Sequence, residues 1–344
     1  MKNNLLPPNN SAYCSSKEIP IRAVAVLGTG SIGYRHLNVL RSIGVKPIAI
    51  SIRNERRLEL EAEGWVCAAS LAAAVELGAE AVVIATDTVR HIADLKEAIM
   101  HDLPVMVEKP LATSAANAFE LNQVAIEHRE KIVIGCDLRF DLGIVSLRER
   151  LSEIGQIHSI QIECRSYLPE WRPGRDHRQG YWARAEEGGV LRDLIHEVDY
   201  GLWLFGKPVG ILGTLKAGST LTIESDESAQ AIWIYENGST LSIGLDYLTR
   251  NARRSIIAFG QSGEIEYNLI TKKLRIATSG NSIEEHAFPS NPNDNFIRQM
   301  REFLLIAGGS SSAQICSLND GLTALMLCDA WRDSAQTLKT VSLS

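Results

Sequence analysis

No CxxC pair occurs among the 344 residues, and the six cysteines, at 14, 67, 136, 164, 316 and 328, show no paired spacing. A disulfide framework and a structural zinc site are therefore excluded as organising elements, and no metal is expected. No run of about 18 apolar residues is present, so no membrane-spanning helix is expected. The opening stretch, MKNNLLPPNNSAYCSSKEIP, lacks the apolar core of a signal peptide and reads as a loose extension over residues 1–20. There is no long Lys/Arg run, and a formal net charge of −6 provides no basic footprint for nucleic acid or a membrane surface. What remains is ordinary globular material, 45% apolar and 22% charged. At roughly 150 residues per domain the length fits two domains. These features point to a cytoplasmic protein acting on a small molecule.

The stretch IRAVAVLGTGSIGYRHLNVLRSIG begins as a β-branched strand, turns at Gly28-Thr29-Gly30-Ser31-Ile32-Gly33 and continues with helical spacing. GxGxxG alone is a weak signal, open to reading as a merely glycine-rich turn. Between a strand and a helix, however, each glycine has a purpose: a tight turn, close approach to a pyrophosphate, and close helix-to-strand packing. The helix N-terminus adds free N–H groups for phosphate. Strand and helix signals then alternate: KPIAISI, RRLELEAEG, AEAVVIAT, HIADLKEAIMHD, PVMVEKP, AANAFELNQVAIEH read as one helix, and KIVIGC. Short continuous apolar strands between helices indicate a parallel sheet covered on both faces, so residues 21–137 read as a Rossmann domain. Ser51, Arg53 and Asn54 stand at the end of the second strand, with no acid before Glu55. An arginine there suits the 2′-phosphate of NADP and a carboxylate the ribose of NAD, so NADP is favoured, unless the strand runs further and brings Glu55 to the ribose.

After residue 155 the pattern changes. HSIQIECRSYL, AQAIWIYENGSTLSIGLDYLT, SIIAFGQSGEIEYNLIT and KKLRIATSG alternate apolar and polar residues and are joined by Asn237-Gly238 and Ser262-Gly263, which is hairpin chemistry. Within this half, GGVLRDLIHEVDYGLWLFG at 188–206 reads as a single helix between glycines. Leu191, Ile195, Val198, Leu202 and Phe205 form its apolar stripe, while Arg192, Asp193, His196 and Tyr200 share the other side, open to reading as a solvated face.

GTGSIG after the first strand, ATDT with His91 close behind, EKP at 108–110, LRFD at 138–141 and the GG…D…H…D run together resemble the Gfo/Idh/MocA family of NAD(P)-dependent oxidoreductases. GSIGYRHL, YLPEWRPGRDHRQGY and DLIHEVDYGLWLFG look more narrowly like a bacterial branch associated with modified surface sugars. The resemblance implies an α/β architecture: a Rossmann domain, then over 138–344 an α/β domain whose open, mostly antiparallel sheet joins a homodimer or homotetramer. Carried over to this chain, it implies that Gly28, Gly30, Ser31, Ile32, Gly33, Arg53, Asn54, Thr86, His91, Glu108 and Lys109 line the cofactor. His196 becomes the acid/base, Lys109 the group beside the substrate oxygen, and Asp193 and Tyr200 its neighbours within helical reach. Histidine titrates near neutrality, which suits removal of a hydroxyl proton.

Tyr167, Trp171, Arg172, Arg175 and Tyr181 crowd one turn-rich stretch before His196 and, with Arg139, are the substrate candidates. Aromatic faces stack on sugar rings and arginines clamp carboxylates or phosphates, so a sugar, in particular an anionic or nucleotide-linked one, is expected. The same loop is open to reading as a cofactor cover or subunit contact. Asp193 lies three residues before His196 where many members have four, Arg192 holds the four-residue position, and Glu187, Asp87 and Ile195 also depart from the usual pattern. An inactive dinucleotide-binding sensor or scaffold is therefore the alternative to a dehydrogenase.

Overall fold

A computed structural model describes residues 18–124, 126–280 and 282–343, so the loose extension expected over 1–20 falls almost wholly outside the described residues. The chain divides into two compact units. In the first, strands β1 (Ala23–Leu27), β2 (Lys46–Ile50), β3 (Val66–Ala68), β4 (Ala81–Ile84), β5 (Val105–Glu108) and β6 (Ile132–Gly135) form a parallel sheet in the order β6-β5-β4-β1-β2-β3. That is the order expected of a Rossmann domain. β1, β4, β5 and β6 are buried along their whole length, which explains their uninterrupted apolar sequence.

The boundary at 137/138 needs correction. The first unit runs to Phe140 and takes in residues 290–322 as well. The helix Asp294–Ala307 buries Phe296, Met300, Phe303 and Leu304 in one cluster with Val24, Val26, Leu37, Leu40 and Met106. The short strand Cys316–Ser317 then pairs antiparallel to β6. An amphipathic helix carries no local sign of which sheet it will cover, so sequence order alone missed this return. The segment 115–128 also differs from the expected single helix. It is two short helices, Ala115–Ala118 and Ile126–Arg129, with a 3₁₀ stretch at Phe119–Gln123.

The second unit is built on β7 (Ile157–Tyr167), β8 (Gly210–Ala217), β9 (Asp226–Ile234), β10 (Thr240–Asp246), β11 (Leu248–Gly260), β12 (Gly263–Asn268), β13 (Lys273–Thr278) and β14 (Glu284–Ala287). Their order is β14-β13-β12-β11-β7-β10-β9-β8, with Val341–Ser342 outside β8. Among the described residues of this sheet, only β7 and β10 pair in parallel. This is the mostly antiparallel sheet expected. Gly238 has φ +81° in the β9–β10 turn, the conformation an Asn-Gly hairpin requires. One face is apolar, with Ile162, Trp233, Leu241 and Ile243 buried, and the helix Ile195–Phe205 lies against it through Gly201, where a Cβ would stand 3.4 Å from Ile162 and Leu241. No helix among the described residues is long and apolar enough to cross a membrane.

Candidate active site

The glycines of the first unit divide by what surrounds them. Gly28 has φ +96°, and a Cβ there would meet the Ala85 carbonyl oxygen at 2.5 Å. A Cβ on Gly33 would stand 1.9 Å from the Gly28 oxygen. Both positions are closed by backbone. Gly30, by contrast, has nothing within 4 Å of its notional Cβ. It is the N-cap of the helix Ser31–Ser42, which has neither a side-chain cap nor an acidic residue in its first turn. Its uncapped N-terminus and positive dipole end therefore lie beside a residue without a side chain, with room at its Cβ position, which fits a dinucleotide pyrophosphate. Ser31 is exposed, and Ile32 packs partly into the core.

At the end of β2, Ser51 is buried while Arg53, Asn54 and Glu55 are exposed. Arg57 donates to the Ser51 carbonyl at 2.9 Å and to Asn54 Oδ1 at 2.8 Å. Asn54, expected to contact the cofactor, thus has its side-chain oxygen engaged by Arg57. Glu55 falls in the first turn of the helix Asn54–Ala62 rather than in the strand.

Beyond β4 and β5 the expected cofactor residues separate into two kinds. Thr86 is half-buried, and its hydroxyl donates to Asp94 at 2.6 Å, with Arg90 on the other Asp94 oxygen at 3.0 Å. His91 requires correction as a cofactor contact. It is 1% exposed, with Nδ1 2.9 Å from the Pro110 carbonyl and Nε2 3.0 Å from the Thr86 carbonyl. Both ring nitrogens face backbone carbonyls, one of which accepts the ring N–H, so His91 lies between the ends of β4 and β5. Burial lowers its pKa, against the opposing pull of the two carbonyls. Glu108 also turns inward, with Oε1 2.6 Å from His36 Nε2 and Oε2 accepting from the Lys109 main-chain N–H at 3.3 Å. Lys109 is half-buried, and the Lys109–Pro110 bond is cis, as X–Pro at a sharp turn allows.

In the second unit the predicted helix is interrupted. Val190–Asp193 and Ile195–Phe205 are separate helices, broken at Leu194 (φ −98°, ψ 30°). The polar side chains around the break are not a solvated face. Asp193, Glu197, Asp199 and Tyr200 are all buried, whereas Arg192 and His196 are partly exposed. Arg192 donates to the carbonyls of Ala185 and Gly188 at 2.9 and 3.1 Å, and burial lowers its pKa. Asp193 accepts from Tyr181 at 2.8 Å and from Tyr247 at 3.1 Å, and burial together with the Asp193 charge raises the Tyr247 phenol well above its usual range. Tyr200 does not orient His196: its hydroxyl donates to Glu197 at 3.1 Å, and Glu197 accepts from Arg254 at 2.7 Å. The two glycines before the first helix are closed positions. A Cβ on Gly188 would meet the Trp182 oxygen at 2.2 Å, and one on Gly189, at φ +94°, the Asp226 carboxylate at 2.5 Å.

The loop before His196 is held by its own aromatics. Trp171 donates to Ser166 at 2.9 Å and meets Tyr247 edge-on at 5.3 Å. Arg172 stacks over Trp182 at 4.3 Å. Arg178 is chelated by Asp176, whose carboxyl it holds far below the usual carboxylate range. Arg175 is exposed, and its side chain forms no hydrogen bond or ion pair with the described residues. Tyr167 lies under Arg250 at 4.1 Å. Arg139 is corrected from substrate candidate to structural residue: it is 1% exposed and donates to the Ile315 carbonyl at 3.1 Å and to Asp320 at 3.0 Å.

A family profile described as an oxidoreductase family with an NAD-binding Rossmann fold matches residues 22–136, and one for the GFO/IDH/MocA C-terminal domain matches residues 146–266. Together they span more than half of the chain. The chain belongs to the Gfo/Idh/MocA family. Among curated Gfo/Idh/MocA relatives, the inositol 2-dehydrogenase/D-chiro-inositol 3-dehydrogenase of Halalkalibacterium halodurans is 28% identical over 189 residues, covering 52% of this chain and 51% of that protein. The inositol 2-dehydrogenase of Renibacterium salmoninarum is 34% identical over 147 residues, covering 41% and 44%. The chain spans about half the length of the curated relatives it matches. Among solved structures, levoglucosan dehydrogenase in complex with NADH superposes with a TM-score of 0.82 at 18% identity, covering 94% of this chain and 99% of that one. A UDP-N-acetylglucosamine 3-dehydrogenase from Acidithiobacillus ferrooxidans gives 0.76 at 21% identity, covering 92% and 99%. At these identities the likeness is one of fold.

Within this Gfo/Idh/MocA fold, sequence reading missed His36, Tyr247, Arg250, Glu197 and Arg254. His36 carried a signal, an imidazole on a core-facing position of the helix that follows the glycine-rich turn. Tyr247 and Arg254 carried none, since they reach Asp193 and Glu197 from 54 and 57 residues away.

Proposed function

We propose that this chain is an NAD(P)-dependent dehydrogenase or reductase acting on a CH–OH group of a sugar or cyclic polyol. The observation that carries the reading is the partial exposure of His196 on a helix turn where Asp193, Glu197, Asp199 and Tyr200 are all buried, an imidazole being the side chain suited to proton transfer near neutrality. His196 takes the hydroxyl proton in the oxidative direction and returns it in reduction. Lys109 stabilises developing negative charge on the substrate oxygen. Asp193, fixed by Tyr181 and Tyr247, holds the turn that presents His196. Gly28, Gly30, Ser31, Ile32, Gly33 and Thr86 would hold the dinucleotide, whose nicotinamide supplies hydride transfer when bound. The Arg53 side chain, exposed and without a hydrogen bond or ion pair to the described residues, favours NADP. An inactive sensor finds no support, because mere dinucleotide binding needs no exposed histidine.

For the substrate, Trp171, Tyr181 and Tyr167 offer aromatic rings, and Arg175 is the exposed arginine whose side chain is not stacked on a ring, whereas Arg172 is stacked on Trp182. A nucleotide-linked or acidic sugar, of the kind used by the surface-sugar branch, suits Arg175. The inositol dehydrogenases among the relatives favour a second reading, a neutral cyclic polyol. The outer face of the second sheet, where Leu212 and Ile232 pair directly at 41% and 45% exposure, is proposed as the contact of a homodimer or homotetramer.

The test is absorbance at 340 nm with NAD and NADP separately against inositols, sugars, sugar acids and nucleotide sugars. Turnover with one of these that His196→Ala lowers by about 10²-fold or more supports the assignment. Unchanged turnover in His196→Ala refutes it.

A further inference from the structure

The buried pair of His36 and Glu108 has no part in the chemistry just described. His36 is completely inaccessible, sits in the helix Ser31–Ser42 and meets Phe296 edge-on at 5.7 Å. Its Nε2 lies 2.6 Å from Glu108 Oε1, and its Nδ1 is buried with no partner. Glu108, 7% exposed, spends its second oxygen on the main-chain N–H of Lys109 at 3.3 Å. The neighbouring strand leaves the carboxylate its room: a Cβ at Gly135 would stand 3.0 Å from it.

Such a pair is a poor way to gain stability. Apolar residues of similar volume commonly hold a buried site as well as an ion pair does, and the orphaned Nδ1 adds a cost. What the pair does accomplish is a connection. One end is the helix whose N-terminus faces the proposed pyrophosphate site, and the other is the peptide N–H of the residue proposed to stabilise the substrate oxygen.

We propose that Glu108 is a positioning residue for Lys109, with His36 holding the Glu108 carboxylate in the orientation that accepts the Lys109 N–H. The inference rests on the role given to Lys109 above. The hydrogen bond fixes the main chain from which the lysine side chain departs. A displacement of about 1 Å at a reacting centre costs on the order of 10²-fold in rate, so this bond has leverage on turnover that its strength alone does not suggest.

The experiment compares Glu108→Gln, the double variant His36→Leu/Glu108→Leu and Lys109→Met. Melting temperature, dinucleotide Kd, kcat and KM are measured with the alcohol that the substrate panel identifies. In parallel, the ¹³C-methyl signal of reductively dimethylated Lys109 is recorded without dinucleotide and assigned by its loss in Lys109→Arg. The double variant avoids an unpaired buried charge and is expected to fold and to bind dinucleotide normally. It should lose about tenfold or more in kcat with KM within about threefold, and show a shifted or broadened Lys109 signal. Glu108→Gln retains an acceptor for the Lys109 N–H and a donor for His36, and should recover the wild-type signal and most of kcat. A double variant with wild-type kcat and an unmoved Lys109 signal overturns the proposal, as does a rise in KM alone. Turnover surviving in Lys109→Met removes the underlying role of Lys109 instead. A dead Lys109→Met beside an active double variant removes only the positioning.

Discussion

The two units assemble their candidate groups in opposite ways. In the first, the proposed phosphate cradle is main chain from one run, Gly28 to Gly33, with three glycines doing three different steric jobs. In the second, the surroundings of His196 are side chains gathered from afar: Tyr181 from 12 residues before Asp193, Tyr247 from 54 after it, and Arg254 from 57 after Glu197. A backbone site depends on what is missing, namely Cβ atoms and caps. A side-chain site depends on buried polar groups meeting partners brought from elsewhere in the chain. The first kind is disabled by adding one carbon, and the second by removing one partner.

The largest effect should come from the second kind. Arg254→Met strands Glu197, whose side chain is fully inaccessible, and is expected to destabilise the protein by about 3–5 kcal/mol. Adding Glu197→Leu should restore much of that loss in denaturant titrations. If the single and double variants unfold alike, burial of charge is not what distinguishes the second unit.

Next come the glycines. Gly33→Ala forces a methyl against the Gly28 carbonyl and should cost about 1–3 kcal/mol or more. Gly30→Ala meets no atom and should leave stability within about 0.5 kcal/mol while weakening dinucleotide binding. Calorimetry of both variants with and without dinucleotide separates the roles. Equal losses of stability would erase the distinction between closed and open glycines. A smaller effect is expected at Arg53: Arg53→Ala should raise the KM for NADP about tenfold with little change for NAD.

The smallest prediction concerns acid. Burial pushes the pKa of Glu227 up, but hydrogen bonds from Lys216, Thr220 and Leu221 outweigh it and bring it below the usual value. A depressed folded-state pKa contributes stability above the unfolded carboxylate range, about pH 4.5, and loses it as pH falls through the folded value. Glu227→Gln should therefore melt below the wild type at pH 7, with the gap closing under pH 4. A constant gap would leave the loop held by shape rather than by charge.

The same contrast explains what was legible. The glycine run, the continuous strands and the switch to alternating strands were readable because each is a local pattern with a period or a fixed spacing. His91, Glu108 and Arg139 show the limit. Their residue types suited ligand chemistry, yet each spends its polar atoms inside the protein, on two carbonyls, on His36, and on Asp320 with the Ile315 carbonyl. Leu194, where one expected helix becomes two, shows it for backbone: the apolar stripe runs through the break unchanged.

By itself the sequence determined the two kinds of sheet, the strand–glycine–helix turn, and the candidacy of Lys109 and His196, because strand period, turn stereochemistry and side-chain chemistry act over a few residues. The tertiary structure alone decided that residues 290–322 return to the first sheet, that Asp193 is held by two phenols, and that Glu108 faces His36. A buried polar group must find its partner wherever the fold brings one, and that distance is not written in spacing.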